Sequence, residues 1–320
     1  MSEDEKKVFR EEENEKYDVP SNASKGANLE GLEAYKKLQE FALSDSDGFW
    51  DQKAKEFLTW FSPYTKVQSG SFIEGDIAWF LNGKINVSYN CLDRHLEKRG
   101  DQIAIIWEGD EPSDVRKITY NEAYREVNRC ANVLKAAGVK KGDTVAIYMP
   151  NCPEAVYAML ACARIGAPHS VVFAGFSADA LAERIIDGKS KVLFTADAYF
   201  RGGRRVNLKP IADEALKRCP TVTSVFYLQR MQDETIELKE GRDYLLKDAL
   251  AAARPYCPPE WLDSEDILFL LYTSGSTGRP KGMVHTQAGY LLYTALTHKL
   301  TFDYREGDVY ACVADIGWIT

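Results

Sequence analysis

Residues 144–173 read TVAIYMPNCPEAVYAMLACARIGAPHSVVF. The apolar run TVAIYM leaves a Gly142-Asp143 turn and has the length and β-branching of a strand. Pro153 then opens a helical pattern that runs to about Ile165, where Gly166 stops it. HSVVF is a second strand. The pattern continues outward in both directions. Ser177 opens the helix ADALAERIID, KVLFTA is a strand, a helix follows over about 207–218, and SVFYL is another strand. Upstream, Thr119 and Glu122 form a capping box before Ala123, Val127, Ala131 and Leu134, which recur at helical spacing until Gly138. Before that, QIAIIWEG and VRKITY flank the turn-rich segment DEPSD as a hairpin. Repeated β-α-β units predict an α/β fold with a mostly parallel, doubly wound sheet and flanking helices. In such sheets ligands bind where loops converge at the carboxyl ends of the strands.

Residues 1–28 are charge-dense and poor in apolar side chains, which predicts a disordered acidic tail. From Leu29 to about Val67 the pattern is helical, with Phe49, Trp50, Phe57, Leu58, Trp60 and Phe61 near helical spacing. These aromatics predict a helical extension, 29–90, docked on an α/β domain that occupies 91–320. Forty Lys and Arg against 48 Asp and Glu give a net charge of −8. That balance argues against a broad nucleic-acid-binding face. The seven cysteines, at 91, 130, 152, 162, 219, 257 and 312, include no CxxC pair. They predict free thiols, with neither a disulfide framework nor a metal site. The first residues carry no secretory or transit signal and no run is long enough to span a membrane, so the expected location is the cytoplasm.

The apolar strand ILFLLYT (267–273) runs into the loop TSGSTGRPKG (273–282). Glycines let backbone N–H groups approach an anion, hydroxyls donate to its oxygens, and Lys281 supplies positive charge. A linker would not be entered by a buried strand and left by another, MVHT. A Walker loop needs Gly-Lys-Ser/Thr at its sixth to eighth positions. Counting from Gly275 the sixth residue is Pro280, and from Gly278 it is Met283. No GxGxxG turn is present either. The loop is a phosphate-binding candidate of another kind.

The loop resembles the phosphate-binding signature of the adenylate-forming enzymes. Longer stretches resemble the acetyl-CoA synthetase family within that group: FWDQKAKEFLTWFSPYTKV (49–67), NVSYNCLDRHLEKRGDQIAIIWEGD (86–110), GVKKGDTVAIYMPNCPEAVYAMLACARIGAPHSVVFAGFSADAL (138–181) and VYACVADIGWIT (309–320). The resemblance implies that acetate attacks the α-phosphorus of magnesium-bound ATP (Mg2+ being the metal the family uses), giving acetyl-adenylate and pyrophosphate. Coenzyme A then displaces AMP. It further implies that Thr273, Ser274, Gly275, Ser276, Thr277, Gly278 and Lys281 hold the ATP phosphates, with Lys281 and Thr277 acting in catalysis. Arg201, Gly202, Gly203, Arg204 and Thr320 would contact coenzyme A, and Trp318 and Ile319 would wall the acyl pocket. The expected partners are small-molecule substrates, with no nucleic acid and no membrane.

Family members run to about twice this length. The resemblance therefore implies an N-terminal fragment, inactive alone and with apolar surface exposed. Two alternatives stay open: a synthetase for propionate or another short-chain acid, and a non-catalytic form that only binds nucleotide or coenzyme A.

Overall fold

A computed structural model describes residues 20, 22, 24–111, 113–231, 237–273 and 280–319. Most of the expected acidic tail lies outside the described residues, as do Ser274, Gly275, Ser276, Thr277, Gly278 and Thr320. Numbering covers the strands of the main sheet and the longer helices in chain order. They are α1 (Gly31–Ser44), α2 (Ser46–Phe57), α3 (Tyr120–Ala136), β1 (Val145–Tyr148), α4 (Pro153–Ile165), β2 (His169–Val171), α5 (Ala178–Asp187) and β3 (Val192–Ala196). There follow α6 (Leu208–Leu216), β4 (Ser224–Leu228), β5 (Asp243–Leu245), α7 (Leu246–Ala252), β6 (Ile267–Thr273), β7 (Lys281–Thr286) and α8 (Gln287–Leu300).

The seven strands form one sheet in the order β5-β4-β3-β1-β2-β6-β7. Every neighbouring pair is parallel except β6 with β7, which is antiparallel. After β1 the chain steps to one side for β2, then crosses back to the other side for β3. The carboxyl ends of β1, β2 and β3 therefore surround the point where the winding reverses, the place where such sheets open a crevice.

Alternation along each strand feeds two apolar layers. Val145, Ile147, Phe194 and Phe226 pack with α3 and α4 residues such as Val127, Leu134 and Ala158 on one face. Ala146, Tyr148, Leu193, Val225 and Tyr227 pack on the other face with Leu181, Ile185 and Ala212 of α5 and α6. The expected capping box forms, with the Thr119 hydroxyl on Glu122 N and the Glu122 carboxylate on Thr119 N. Helix α4 ends at a left-handed Gly166. The expected hairpin pairs Ile103–Glu108 with Val115–Thr119.

Two expectations need correction. Helical structure in the 29–67 stretch stops at Phe57, and a short antiparallel pair, Lys66–Ser69 with Ala78–Leu81, follows. The aromatic spacing misled because Trp60 leaves the helix to pack against Tyr64 and Phe80, while Phe61 stacks on Trp261. Strand β6 is also less buried than an apolar run suggests. Leu268 and Phe269 are buried, but the strand pairs with β2 only as far as Leu270 and then projects past it with β7 alone alongside. Near the N-terminus, Asn28 is tied down: its backbone N–H donates to Asp303 and its amide to Lys299 O and Tyr304 O.

Buried polar side chains join the elements. Asn86, with no exposed surface, donates to Ala163 O, Arg164 O and Glu260 O. The equally buried Arg164 grips Asp93 through two 2.8 Å bonds and donates to Cys257 O. Five of the described cysteines are buried free thiols, Cys91 is intermediate and Cys312 is exposed.

His169 is buried at the start of β2, stacked 5.4 Å from the Phe269 ring, and its Nδ1 has no partner. Burial disfavours the charged imidazolium and pushes its pKa down to about 4,. An exposed histidine titrates near 6.5, so the unfolded chain binds the extra proton first. The stabilising contribution is full above about pH 6.5 and is lost as pH falls toward about 4, on the order of 3 kcal/mol in all. His285, stacked on the other face of Phe269 at 4.4 Å, is pushed down too by burial and adds to the slope. Chemical denaturation across this window should show a flatter acid limb for His169→Phe than for the parent chain. Parallel limbs would contradict this reading of the buried imidazole.

Candidate functional site at the carboxyl ends of the strands

The antiparallel register of β6 and β7 ends with Thr273 opposite Lys281. Residues 274–280 thus connect two strand ends held at pairing distance, at the same end of the sheet as the carboxyl ends of the parallel strands. Gly282 faces Tyr272, and a Cβ there would stand 3.1 Å from the tyrosine ring. Tyr272 is itself fixed by a 2.6 Å bond from its hydroxyl to Asp187. Both ends of the loop are therefore set on rigid strand. Lys281 is exposed and Pro280 half-buried.

The sequence 201–204, expected as a basic turn, is the tip of a β-hairpin. Ala198–Arg201 pairs antiparallel with Arg204–Asn207, and Arg201 lies opposite Arg204. Gly202 and Gly203 have φ of 56° and 73°. Two successive positive φ values define the tight turn whose twist suits a hairpin, and glycine adopts them at no steric cost. The two guanidinium-bearing residues therefore flank one tip. The Arg201 guanidinium lies 4.5 Å from the Phe173 ring centroid. Phe173 in turn lies 6.4 Å from the Trp318 ring. One aromatic side chain beyond β2 thus joins the basic hairpin to the segment expected to wall an acyl pocket.

Two cavities meet this junction. A polar pocket of about 330 Å³ is lined by Trp107, Asn151, Phe173, Tyr199, Arg201 and Arg230, among others. These residues follow the ends of β1 to β4 or lie on the 103–119 hairpin and the basic hairpin, so the pocket sits at the winding reversal. Asp315 also lines it, and burial raises its pKa while Arg201 opposes the rise. The second cavity, about 270 Å³ and mostly apolar, is bounded by Met159, Val171, Leu271, Tyr290, Trp318 and Ile319, among others. Trp318 is 59% and Ile319 55% exposed, so they border this space from one side only. Met283, Val284, Tyr293 and Val313 are also exposed apolar residues in this part of the chain.

Several residues that shape the site were not legible as site residues. The Asn151 amide donates to Ala314 O, and its oxygen accepts from Ile316 N, pinning the segment before Trp318 to the end of β1. The Trp107 indole N–H donates to Asn151 O. Arg230 lies over Trp107 at 5.0 Å and pairs with Asp110 at 2.7 Å. Their common signal is position: Asn151, Phe173 and Arg230 each stand two or three residues beyond the end of a parallel strand.

A family model described as AMP-binding enzyme matches residues 92–320, and one described as acetyl-coenzyme A synthetase N-terminus matches residues 35–91. Acetyl-coenzyme A synthetase of Dictyostelium discoideum is 54% identical over 316 residues, 99% of this chain and 47% of the relative. That of Syntrophobacter fumaroxidans is 54% identical over 306 residues, 95% of this chain and 46% of the relative. Among solved structures, acetoacetyl-CoA synthetase from Streptomyces lividans superposes with a TM-score of 0.82 at 29% identity, covering 92% of this chain and 44% of that one. The chain thus spans about half the length of these relatives. Among the described residues no helix is long and apolar enough to cross a membrane.

Proposed function

The chain belongs to the AMP-binding enzyme family, and on that premise we propose that it serves the activation of acetate by ATP and the transfer of the acetyl group to coenzyme A. In the first half-reaction an acetate oxygen attacks the α-phosphorus of the magnesium complex of ATP, the bond to the bridging oxygen breaks, and pyrophosphate leaves. In the second, the coenzyme A thiolate attacks the acetyl carbonyl carbon and AMP leaves with the electron pair. Converting a carboxylate into a mixed anhydride gives the thiol a leaving group it can displace. The cytosol is the proposed place of action, in keeping with the free thiols.

The observation that carries this reading is the paired anchoring of the loop TSGSTGRPKG by Thr273 and Lys281 on adjacent strands. Its hydroxyls, glycine amides and Lys281 suit the β and γ phosphates and the charge that builds on departing pyrophosphate. The relatives named acetyl-coenzyme A synthetase, at 54% identity, support acetate as the acid. Trp318 and Ile319, beside the apolar cavity, are assigned to the methyl end of the acid. Arg201 and Arg204 at the hairpin tip, with Gly202, Gly203 and Thr320, are assigned to coenzyme A.

The experiment uses a hybrid in which these 320 residues replace the matching part of the Dictyostelium relative. Acetate-dependent exchange of pyrophosphate into ATP reads the first half-reaction alone, and thioester formation reads both. Replacing Arg201 and Arg204 together by alanine should raise KM for coenzyme A by roughly 10- to 100-fold, the loss of charge-assisted bonds to a phosphate. Exchange should be unaffected. Equal loss of exchange would reject the assignment of the hairpin to coenzyme A.

A further inference from the structure

Asp197 follows directly on β3 and is 9% exposed. One carboxylate oxygen accepts from Ala198 N at 2.7 Å and Arg230 N at 2.9 Å, and the other accepts from Met231 N at 3.0 Å. Its backbone is equally committed. The Asp197 N–H donates to Leu228 O, and its carbonyl accepts from Leu208 N at 2.8 Å and Lys209 N at 3.1 Å. One residue therefore ties the first strand of the basic hairpin, the first turn of α6 that follows the hairpin, and the loop beyond β4. That loop places Arg230 against Trp107, which holds Asn151 in turn.

A buried carboxylate satisfied by three backbone amides is an anchor, its oxygens committed to the chain itself. The hairpin spans only Ala198–Arg201 and Arg204–Asn207, and short two-stranded ribbons are marginal by themselves,. Its pose therefore depends on the rest of the fold: Tyr199 and Val206 pack into the core, Arg201 lies over Phe173, and the base is held in place. The base is gripped on both sides by Asp197: Ala198 by the carboxylate, and Leu208, one residue past the second strand, by the carbonyl.

We propose that Asp197 is a positioning residue that fixes the pose of Arg201 and Arg204 toward an anionic ligand. The inference rests on the assignment of the hairpin to coenzyme A. Asparagine at 197 keeps one acceptor oxygen but turns an NH2 group toward backbone N–H donors, so at least one of the three bonds is lost. The isosteric shape keeps the packing.

In the hybrid, Asp197→Asn should raise KM for coenzyme A about tenfold, as expected for one charged hydrogen bond, with acetate-dependent pyrophosphate exchange unchanged. A residue that acts through the arginines should add nothing once they are gone. Asp197→Asn introduced into the Arg201→Ala/Arg204→Ala hybrid should therefore leave KM where the arginine variant set it. In the 320-residue chain, hydrogen exchange should quicken in 198–207 and 230–231 while α3 and β1 keep their protection.

A tenfold rise that persists without the arginines would overturn the proposal, as would equal loss of exchange and thioester formation. Unchanged KM in Asp197→Asn, with a raised KM in the arginine variant, would overturn the role of Asp197 and leave the hairpin assignment intact. Unchanged KM in the arginine variant would overturn the hairpin assignment and this inference with it.

Discussion

Lys281→Ala in the hybrid is expected to slow acetate-dependent pyrophosphate exchange by about 100-fold or more, the usual loss when a preorganised donor to a developing charge is removed. The expectation follows from where Lys281 sits. It is the first residue of β7, in register with Thr273, so its backbone is fixed by the sheet while its side chain is exposed beside the loop. Negative charge accumulates on pyrophosphate as its bond to the α-phosphorus breaks, and an ammonium held nearby stabilises that state more than bound ATP. Removing it should lower the exchange rate more than it weakens ATP binding. Thioester formation from preformed acetyl-adenylate should survive, because no pyrophosphate leaves in that step. An unchanged exchange rate would remove Lys281 from the reaction.

Arg164→Ala is expected to cost the fold about 3–5 kcal/mol, the range for breaking a buried ion pair from one side. Arg164 has no exposed side-chain surface and Asp93 only 13%. Alanine would leave the Asp93 carboxylate without its bidentate partner and Cys257 O without its donor. It would also empty the space beside Tyr124, whose ring the guanidinium covers at 5.3 Å. Denaturant unfolding followed by circular dichroism measures the loss. Arg164→Met/Asp93→Leu should recover part of it, because apolar groups of similar volume carry no desolvation cost. A loss below about 1 kcal/mol in Arg164→Ala, the scale of an exposed pair, would show that the pair is not effectively buried.

Both residues illustrate what a sequence discloses. The β-α-β run was readable because its signals are local: Pro153 and Gly166 bound α4, Thr119 and Glu122 start α3, and β-branched runs mark β1 and β3. The order of the strands was not readable, since β3 returning to the far side of β1 is decided by packing between distant residues. Asn86 and Arg164 gave no warning of burial because these residue types usually face water. The sequence 201–204 was recognisable as a basic glycine turn, but the hairpin beneath it required Val206 to pair with Tyr199. The apolar run 267–273 announced a strand correctly and its burial incorrectly, because burial depends on how far β2 extends beside it.

The contribution of Asn151 and Asp197 lay further out of reach. Each is a short polar residue after a strand, a common place for a turn, and only the fold brings Ala314 and Ile316 to one and Arg230 and Met231 to the other.

Activation of acetate by ATP is tested most directly by the exchange of labelled pyrophosphate into ATP in the hybrid carrying these 320 residues. That exchange should require acetate and proceed without coenzyme A. A folded hybrid with no exchange on acetate or propionate, or one that releases phosphate from ATP without any carboxylate, would contradict this activation.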